Sequence, residues 1–242
     1  MKIGIAGYGF VGRAHYEVLK DKHDVVISDP ALGFNNSFDD VDAVIVCVST
    51  PQDNDGKCNM SNVFDVINTV PNVPILIKST ISLEGWDMLV DAFFDRNINF
   101  SPEFLRAKSA VEDLMNQKLL LVGGFNPIFW ADVFNISVEV AEPGELILAK
   151  YFRNSFLATK VSFFNQVYDL CNAANVEYSA VAHYITEDIR IGDSHTYITT
   201  ERGFGGHCFS KDTAAILRTA ENKSVELSLI KEARIYNDKI RK

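Results

Sequence analysis

The chain is 242 residues long, 47% hydrophobic and 23% charged, a globular mixture with enough length to bury cores without metals or disulfides. Its formal net charge of −9, from 32 acidic and 23 basic residues, leaves no basic stripe for a nucleic-acid backbone, though helix ends and local cations can still hold a small anion. No apolar run is long enough to cross a bilayer and MKIGIAGYG lacks a signal-peptide pattern. The four cysteines (Cys47, Cys58, Cys171, Cys208) have neither CxxC nor secreted-domain spacing, so they read as reduced thiols of a cytoplasmic protein.

In chain order, residues 2–7 read as a buried strand and 10–19 as the helix after it, with a second short strand over 24–28. The run AVIVCV within 41–48 predicts a third strand covered on both faces, as a parallel strand is. Residues 74–78 predict a fourth strand, and Ser82 caps the helix bearing Trp86, Leu89 and Phe93. Apolar runs at 97–100 and 119–122 continue the alternation. Only 11 residues separate Asp29 from Val41, and they include Pro30 and Gly33, so the second crossover has no room for a full helix and is expected to be minimal.

After Glu139 the pattern changes. Glu142-Pro143-Gly144-Glu145 resembles a helix start, and no glycine or proline interrupts the chain from there to Ala174. Leu146, Ala149, Phe152, Phe156, Phe163, Val167 and Leu170 recur at three- and four-residue intervals or their sum. Shorter helices are expected around 179–188, 212–220 and 225–240. The predicted architecture is a Rossmann-like parallel sheet domain over 1–140, followed by an all-helical domain with a long central helix over 141–242.

Gly7, Gly9 and Gly12 form GYGFVG between the first strand and the first helix. The first glycine permits a tight turn, the second lets a pyrophosphate approach the backbone, and the third lets helix and sheet pack closely. Asp29 ends the second strand 20 residues after Gly9, where its carboxylate can accept the adenosine-ribose hydroxyls and repel a 2′-phosphate. The expected ligand is therefore NAD rather than NADP. A purely structural glycine turn is the alternative. Ser49-Thr50-Pro51 and Lys78-Ser79-Thr80 follow two apolar strands, at the carboxyl ends where an open sheet binds its ligands.

The segment GFGGHCFSKD, residues 203–212, places Cys208 after a glycine loop, with Lys211 and Asp212 three and four residues on. A lysine there can stabilise a thiolate or an oxyanion, and the aspartate can order a hydroxyl or water; a small packing cysteine beside a helix cap is the other reading. Cys47 lies inside an apolar strand and Cys171 inside a helix, both packing positions, and Cys58 sits in a turn with no supporting neighbours. His207 adjoins Cys208, but adjacent side chains diverge, which argues against a nucleophile–base pair. His15, His23, His183 and His195 have no metal-ligand spacing, so no bound metal is expected. Lys150 and Asn154 share one helix face and can converge on an oxygen gaining negative charge, or simply face solvent. Glu103, in SPEFLR after a strand, is a general base if part-buried and otherwise a solvated glutamate.

These pieces (GYGFVG, VSTP, KSTI, SPEFLR, ELILAKYFRNSFLATKVSFFNQV, DIRIG and GFGGHCFSKD) resemble, in order and along nearly the whole chain, the UDP-glucose and GDP-mannose 6-dehydrogenase family. The resemblance implies two successive NAD-dependent oxidations that turn a sugar C6 alcohol into a carboxylate. Carried over, Cys208 would trap the aldehyde as a thiohemiacetal and become a thioester, while Lys150 and Asn154 stabilise the oxyanion states. Thr80 and Asp212 would hold a proton-relaying water, and Glu103 would assist thioester hydrolysis. The expected cofactor set is Gly7, Gly9, Phe10, Val11, Gly12, Asp29, Ser49, Thr50, Thr80 and Lys211. Arg190 in DIRIG belongs to a family motif without a contact assignable from sequence.

Three positions depart from the family pattern: Ala107 stands where a cofactor-contacting glutamate is usual, Lys108 where glycine is common, and Ser210 where the loop carries proline. Family enzymes continue into a third domain that grips the nucleotide, and this sequence ends at Lys242 near where that domain would begin. The resemblance therefore implies a compact enzyme acting on a nucleotide-sugar, most simply UDP-glucose, as a homodimer through its long helix, with or without a separate partner supplying that domain. A single-step alcohol or hydroxy-acid dehydrogenase and an NAD-binding assembly or regulatory protein are the competing readings.

Overall fold

The computed structural model describes residues 1–242 except for the side chain of His207. Eight strands form one sheet: β1 (Lys2–Ala6), β2 (Asp24–Asp29), β3 (Phe34–Asn35), β4 (Ala43–Val46), β5 (Ile75–Ile77), β6 (Ile98–Phe100), β7 (Leu119–Gly124) and β8 (Ser137–Val140). Their order is β3-β2-β1-β4-β5-β6-β7-β8, with β2, β1, β4, β5 and β6 parallel. The central strands are apolar on both faces because helices cover both, as the run AVIV of β4, buried throughout, illustrates.

The domain is the Rossmann-like sheet expected from sequence, its parallel core joined by two antiparallel pairings. The short β2–β4 connection is a single 3₁₀ turn, Pro30–Leu32, closed by Gly33 at φ +83°, which reverses the chain into β3 antiparallel to β2. Farther along, Gly123 and Gly124 pair antiparallel with Phe100 and Asn99. Gly124 has φ +129°, and a methyl there would lie 2.8 Å from the Asn99 Cα, so only glycine allows this approach. β8 then runs parallel to β7.

The sheet is flanked by α1 (Phe10–Leu19), α2 (Ser61–Thr69), α3 (Leu83–Ala92), α4 (Ala110–Met115) and α5 (Phe129–Phe134). Ser82 caps α3, its Oγ accepting from the Gly85 N–H at 3.0 Å. One core packs Ile3, Leu19, Ala43, Ile45, Leu76, Leu120, Val122, Trp130, Val133 and Phe134. A smaller one, Ala14 with Ala110 and Leu114, seats α4 on α1.

Four helices follow: α6 (Pro143–Ala173), α7 (Tyr178–Thr186), α8 (Gly206–Asn222) and α9 (Ser228–Ile240). The 31 uninterrupted residues of α6 make a helix about 46 Å long. The chain divides into two compact units, residues 1–53 with 58–150, and residues 54–57 with 151–242, so α6 contributes to both. In the second unit Ser162 Oγ donates to the Ala233 carbonyl at 2.9 Å, and Arg202 pairs with Asp169 at 2.6 Å. No helix among the described residues is long and apolar enough to cross a membrane.

Candidate active site

The sheet order reverses between β1 and β4, and the glycine turn sits at that switch point. Gly7 has φ +90°, and a methyl there would lie 2.7 Å from the Cys47 carbonyl oxygen. A methyl on Gly12 would collide with the Gly7 carbonyl, while one on Gly9 would meet nothing within 4 Å. Gly9 is the N-cap of α1 and is exposed, so open space adjoins the helix N-terminus where backbone N–H groups favour a diphosphate. Phe10 is exposed beside it and Val11 half-buried. Asp29 ends β2, and its Oδ2 accepts from the Tyr8 N–H at 2.7 Å, which fixes the acid against the glycine turn. A cavity of about 730 Å³ opens here, lined by Tyr8, Gly9, Phe10, Arg13, Leu32 and residues 107–112. These features fit a dinucleotide. Both Ala107 and Lys108 lie on the cavity wall, so a methyl stands where the family pattern carries an acid and an exposed cation where it carries a glycine.

The ends of β4 and β5 are tied together. Thr50 Oγ1 donates to the Thr80 carbonyl at 2.7 Å, and Ser79 Oγ donates to the Val48 carbonyl at 2.7 Å. Ser49 is exposed and Asn62 donates to its carbonyl at 2.9 Å; Thr80 is half-buried. Cys58, read from sequence as a turn residue without supporting neighbours, is buried with its Sγ 3.4 Å from the Thr80 carbonyl.

After β6 the chain brings Glu103 to the beginning of α6. Lys150 Nζ donates to the Glu103 carbonyl at 2.6 Å and pairs with its Oε1 at 2.7 Å, and both residues are buried. Glu103 Oε2 accepts from the Leu105 N–H at 2.9 Å. The solvated readings of Glu103 and Lys150 thus give way to a buried ion pair that links residues 47 apart in sequence. Nearby, Lys78 is 2% exposed, and burial lowers its pKa to about 8. Sequence placed it in the strand end Lys78-Ser79-Thr80 at the ligand cleft but gave it no part of its own in the chemistry.

In the helical unit, Asn154 Nδ2 donates to Asp212 Oδ2 at 2.6 Å, and Lys211 pairs with Asp212 Oδ1 at 2.8 Å. Asp212 is 1% exposed, so both carboxylate oxygens are satisfied within the protein. Lys211, expected at the cofactor, spends its charge on this acid. Cys208 is half-buried in the first turn of α8, which starts at Gly206, six residues earlier than the sequence pattern suggested. The segment is therefore a helix start rather than an open loop. α9 braces it on both sides: Asn237 Oδ1 accepts from the Phe204 N–H at 2.6 Å, and Arg234 donates to the Ser210 carbonyl at 2.5 Å and to Thr213 Oγ1 at 2.8 Å. Sequence reasoning missed Asn237 and Arg234, since nothing local marks them.

Burial pushes the Cys47 thiol up to about 12, an inert packing position, and Cys171 is buried in α6. Burial also takes His15 down to about 3, a neutral imidazole whose Nδ1 bonds the Val11 carbonyl at 2.8 Å. The His207 side chain lies outside the described residues. Arg190 pairs with its near neighbour Asp188, and the carbonyls of Ile191 and Gly192 accept from Lys160 at 2.7 and 3.0 Å. Among the described residues no group of three His, Cys, Asp or Glu could hold a metal ion.

Residues 30–133 match the NAD binding domain of the UDP-glucose/GDP-mannose dehydrogenase family, and residues 145–239 match its central domain. A UDP-glucose 6-dehydrogenase of Rickettsia typhi is 31% identical over 226 residues, covering 86% of this chain and 51% of its own. One from Bacillus subtilis is 29% identical over 92% of this chain and 53% of its own. The chain thus spans about half the length of the curated relatives it matches. Among solved structures, a UDP-glucose dehydrogenase of Pyrobaculum islandicum superposes with a TM-score of 0.84 at 25% identity, over 98% of this chain and 68% of that one. A 3-hydroxyisobutyrate dehydrogenase of Mycobacterium tuberculosis shares the fold, with a TM-score of 0.73 at 18% identity over 97% of this chain and 92% of that one.

Proposed function

The chain belongs to the UDP-glucose/GDP-mannose dehydrogenase family, and from that premise we propose that it is an NAD-dependent nucleotide-sugar 6-dehydrogenase that converts UDP-glucose to UDP-glucuronate. The observation that carries the reading lies on α6. Lys150 and Asn154 stand one helical turn apart, and each is locked by a hydrogen bond to an acid the chemistry needs, Glu103 and Asp212. Preorganised donors of this kind favour charge that develops during reaction, because they need no reorientation when it appears.

Two NAD molecules, bound in turn, would each supply the acceptor for one hydride, the first leaving the alcohol carbon and the second the thiohemiacetal carbon as it becomes the thioester. The rest falls to the chain. Thr80 and Asp212 hold the water that takes the proton of the C6 alcohol. Lys150 and Asn154 donate to the oxygen that becomes alkoxide and then oxyanion. Cys208 adds its sulfur to the aldehyde carbon, giving a thiohemiacetal, and stays bonded to that carbon as the thioester. Glu103 takes a proton from the water that displaces Cys208, leaving the carboxylate as product. Gly9 and the start of α1 receive the cofactor diphosphate, Asp29 its ribose, and the Ser49–Thr50 and Thr80 strand ends the rest of the cleft.

The exposed aromatic face of α6 (Phe152, Phe156 and Phe163, with Leu170) supports a homodimer through that helix. The test is stoichiometric: two NADH per UDP-glucose, with a covalent mass on Cys208 that Cys208→Ala removes. The screen includes GDP-mannose and UDP-N-acetylmannosamine, and repeats each sugar with the C-terminal region of a longer relative supplied in trans. One NADH per substrate and indifference to Cys208→Ala would instead mark a single-step dehydrogenase. Tight NAD binding without NADH from any sugar would mark an assembly or regulatory protein.

A further inference from the structure

Lys78 stands outside every role assigned above, yet it is 2% exposed at the carboxyl end of β5. Burying an ammonium is costly unless its protons are used. Its Nζ donates to Ser101 Oγ at 2.9 Å and to the Pro102 carbonyl at 3.3 Å, both uncharged acceptors in the residues immediately before Glu103. Glu103 is gripped in turn by Lys150, through its carbonyl and its Oε1, while its Oε2 takes the Leu105 N–H. Three consecutive residues are thus held by two buried lysines, one just past a strand and one from a helix.

We propose that Lys78 is a positioning residue for Glu103, pinning the Ser101–Pro102 backbone so that the Glu103 carboxylate reaches both Lys150 and the Leu105 amide. This rests on the reading of Glu103 as the group that directs water at the thioester, and deepens it. A water-activating carboxylate must hold its place to a fraction of an ångström, which a loop after a three-residue strand does not ensure unaided.

Burial holds two of the groups around Lys78 uncharged. Cys47, just past the end of β4, stays a thiol because burial pushes it up to about 12, and His15 on α1 stays neutral because burial takes it down to about 3. Glu103 and Lys150 form the ion pair. Burial brings Lys78 from the usual 10.5 to about 8. An amine that has lost its third proton keeps two N–H bonds, one for each acceptor, so the hold on Ser101 and Pro102 outlasts the charge. Between about 8 and 10.5 the unfolded chain binds the proton that the folded one has shed, so this residue's contribution to stability rises with pH across that window.

The test begins with NAD-free protein, because the Leu105 amide reports directly on where the Glu103 carboxylate sits. In Lys78→Met, Leu105 is expected to exchange its hydrogen about tenfold faster while amides of β1 and α5 keep their rates. Ser101→Ala, which removes one acceptor and leaves the charge, is expected to give a smaller acceleration. The rise in unfolding midpoint between pH 8 and 10.5 is expected in the wild type and lost in Lys78→Met. During turnover, Lys78→Met is expected to accumulate the Cys208 thioester, with hydrolysis slowed about tenfold and the KM for NAD unchanged. Unchanged Leu105 exchange in folded Lys78→Met, or in Ser101→Ala if the first variant does not fold, overturns the proposal. A wild type that makes no NADH while Lys78→Met speeds Leu105 exchange overturns the assigned reaction and leaves the positioning role standing.

Discussion

At Gly12 an added methyl would collide with the Gly7 carbonyl and touch Ile5 Cγ2 at 3.4 Å, whereas at Gly9 it would enter open space on a backbone at φ −69° that any residue adopts. Gly12→Ala is therefore expected to destabilise the folded protein by roughly 1–3 kcal/mol, as overpacking does. Gly9→Ala should leave the denaturation midpoint unchanged and weaken NAD binding about tenfold, or ~1.4 kcal/mol, because the methyl occupies the space the diphosphate needs. Urea denaturation and fluorescence titration with NAD separate the two, and a Gly9→Ala protein with wild-type affinity would remove the diphosphate from this turn. These glycines were legible in the sequence because their constraint is local, set by one turn and the first residues of one helix. The role of Lys78 was not. A lysine reads as exposed until residues 23 and 24 positions away close over it.

At the level of elements, the first turn of α8 depends on α9. A methyl on Gly203 (φ +54°) would collide with Asn237 Oδ1, and the guanidinium of Arg241 covers Gly205 and donates to the Arg202 carbonyl at 3.1 Å. Asn237→Ala strands the buried Phe204 N–H, which is expected to cost about 1–3 kcal/mol. The loss should appear in chemical denaturation and as faster hydrogen exchange concentrated in residues 203–208; Asn237→Asp, which keeps the acceptor, should restore most of it. Uniform loss of protection along the chain would instead make Asn237 an ordinary packing residue. This dependence explains why the start of α8 was misplaced from sequence: Gly205-Gly206 reads as loop, and the groups that hold a helix there come from Arg234, Asn237 and Arg241. By contrast α1, after its glycine turn, and α6, opened by Pro143 and uninterrupted to Ala173, carry their boundaries in their own residues.

On the scale of the whole molecule, α6 buries Tyr151, Ala158 and Phe164 but leaves Phe156 69%, Phe163 54% and Leu170 70% exposed, at seven-residue spacing along one face. A second copy of the chain is the expected cover. Sedimentation should show a dimer for the wild type and a monomer of unchanged helicity for Phe156→Asp/Phe163→Asp; a monomeric wild type would leave this face to another partner. The sequence by itself determined the alternation of strands and helices, the glycine turn with Asp29 and the long helix, since each rests on short-range periodicity or on a motif read within a few residues. Only the tertiary structure decided the antiparallel β2–β3 and β6–β7 pairings, because strand direction is set by pairing across the sheet. Only it joined Glu103 to Lys150 across 47 residues and Asn154 to Asp212 across 58, turning side chains that read equally well as solvated into buried pairs. The physical reason is the same in each case. Burial and hydrogen-bond partnership are properties of space, and the chain's own order does not list its neighbours there.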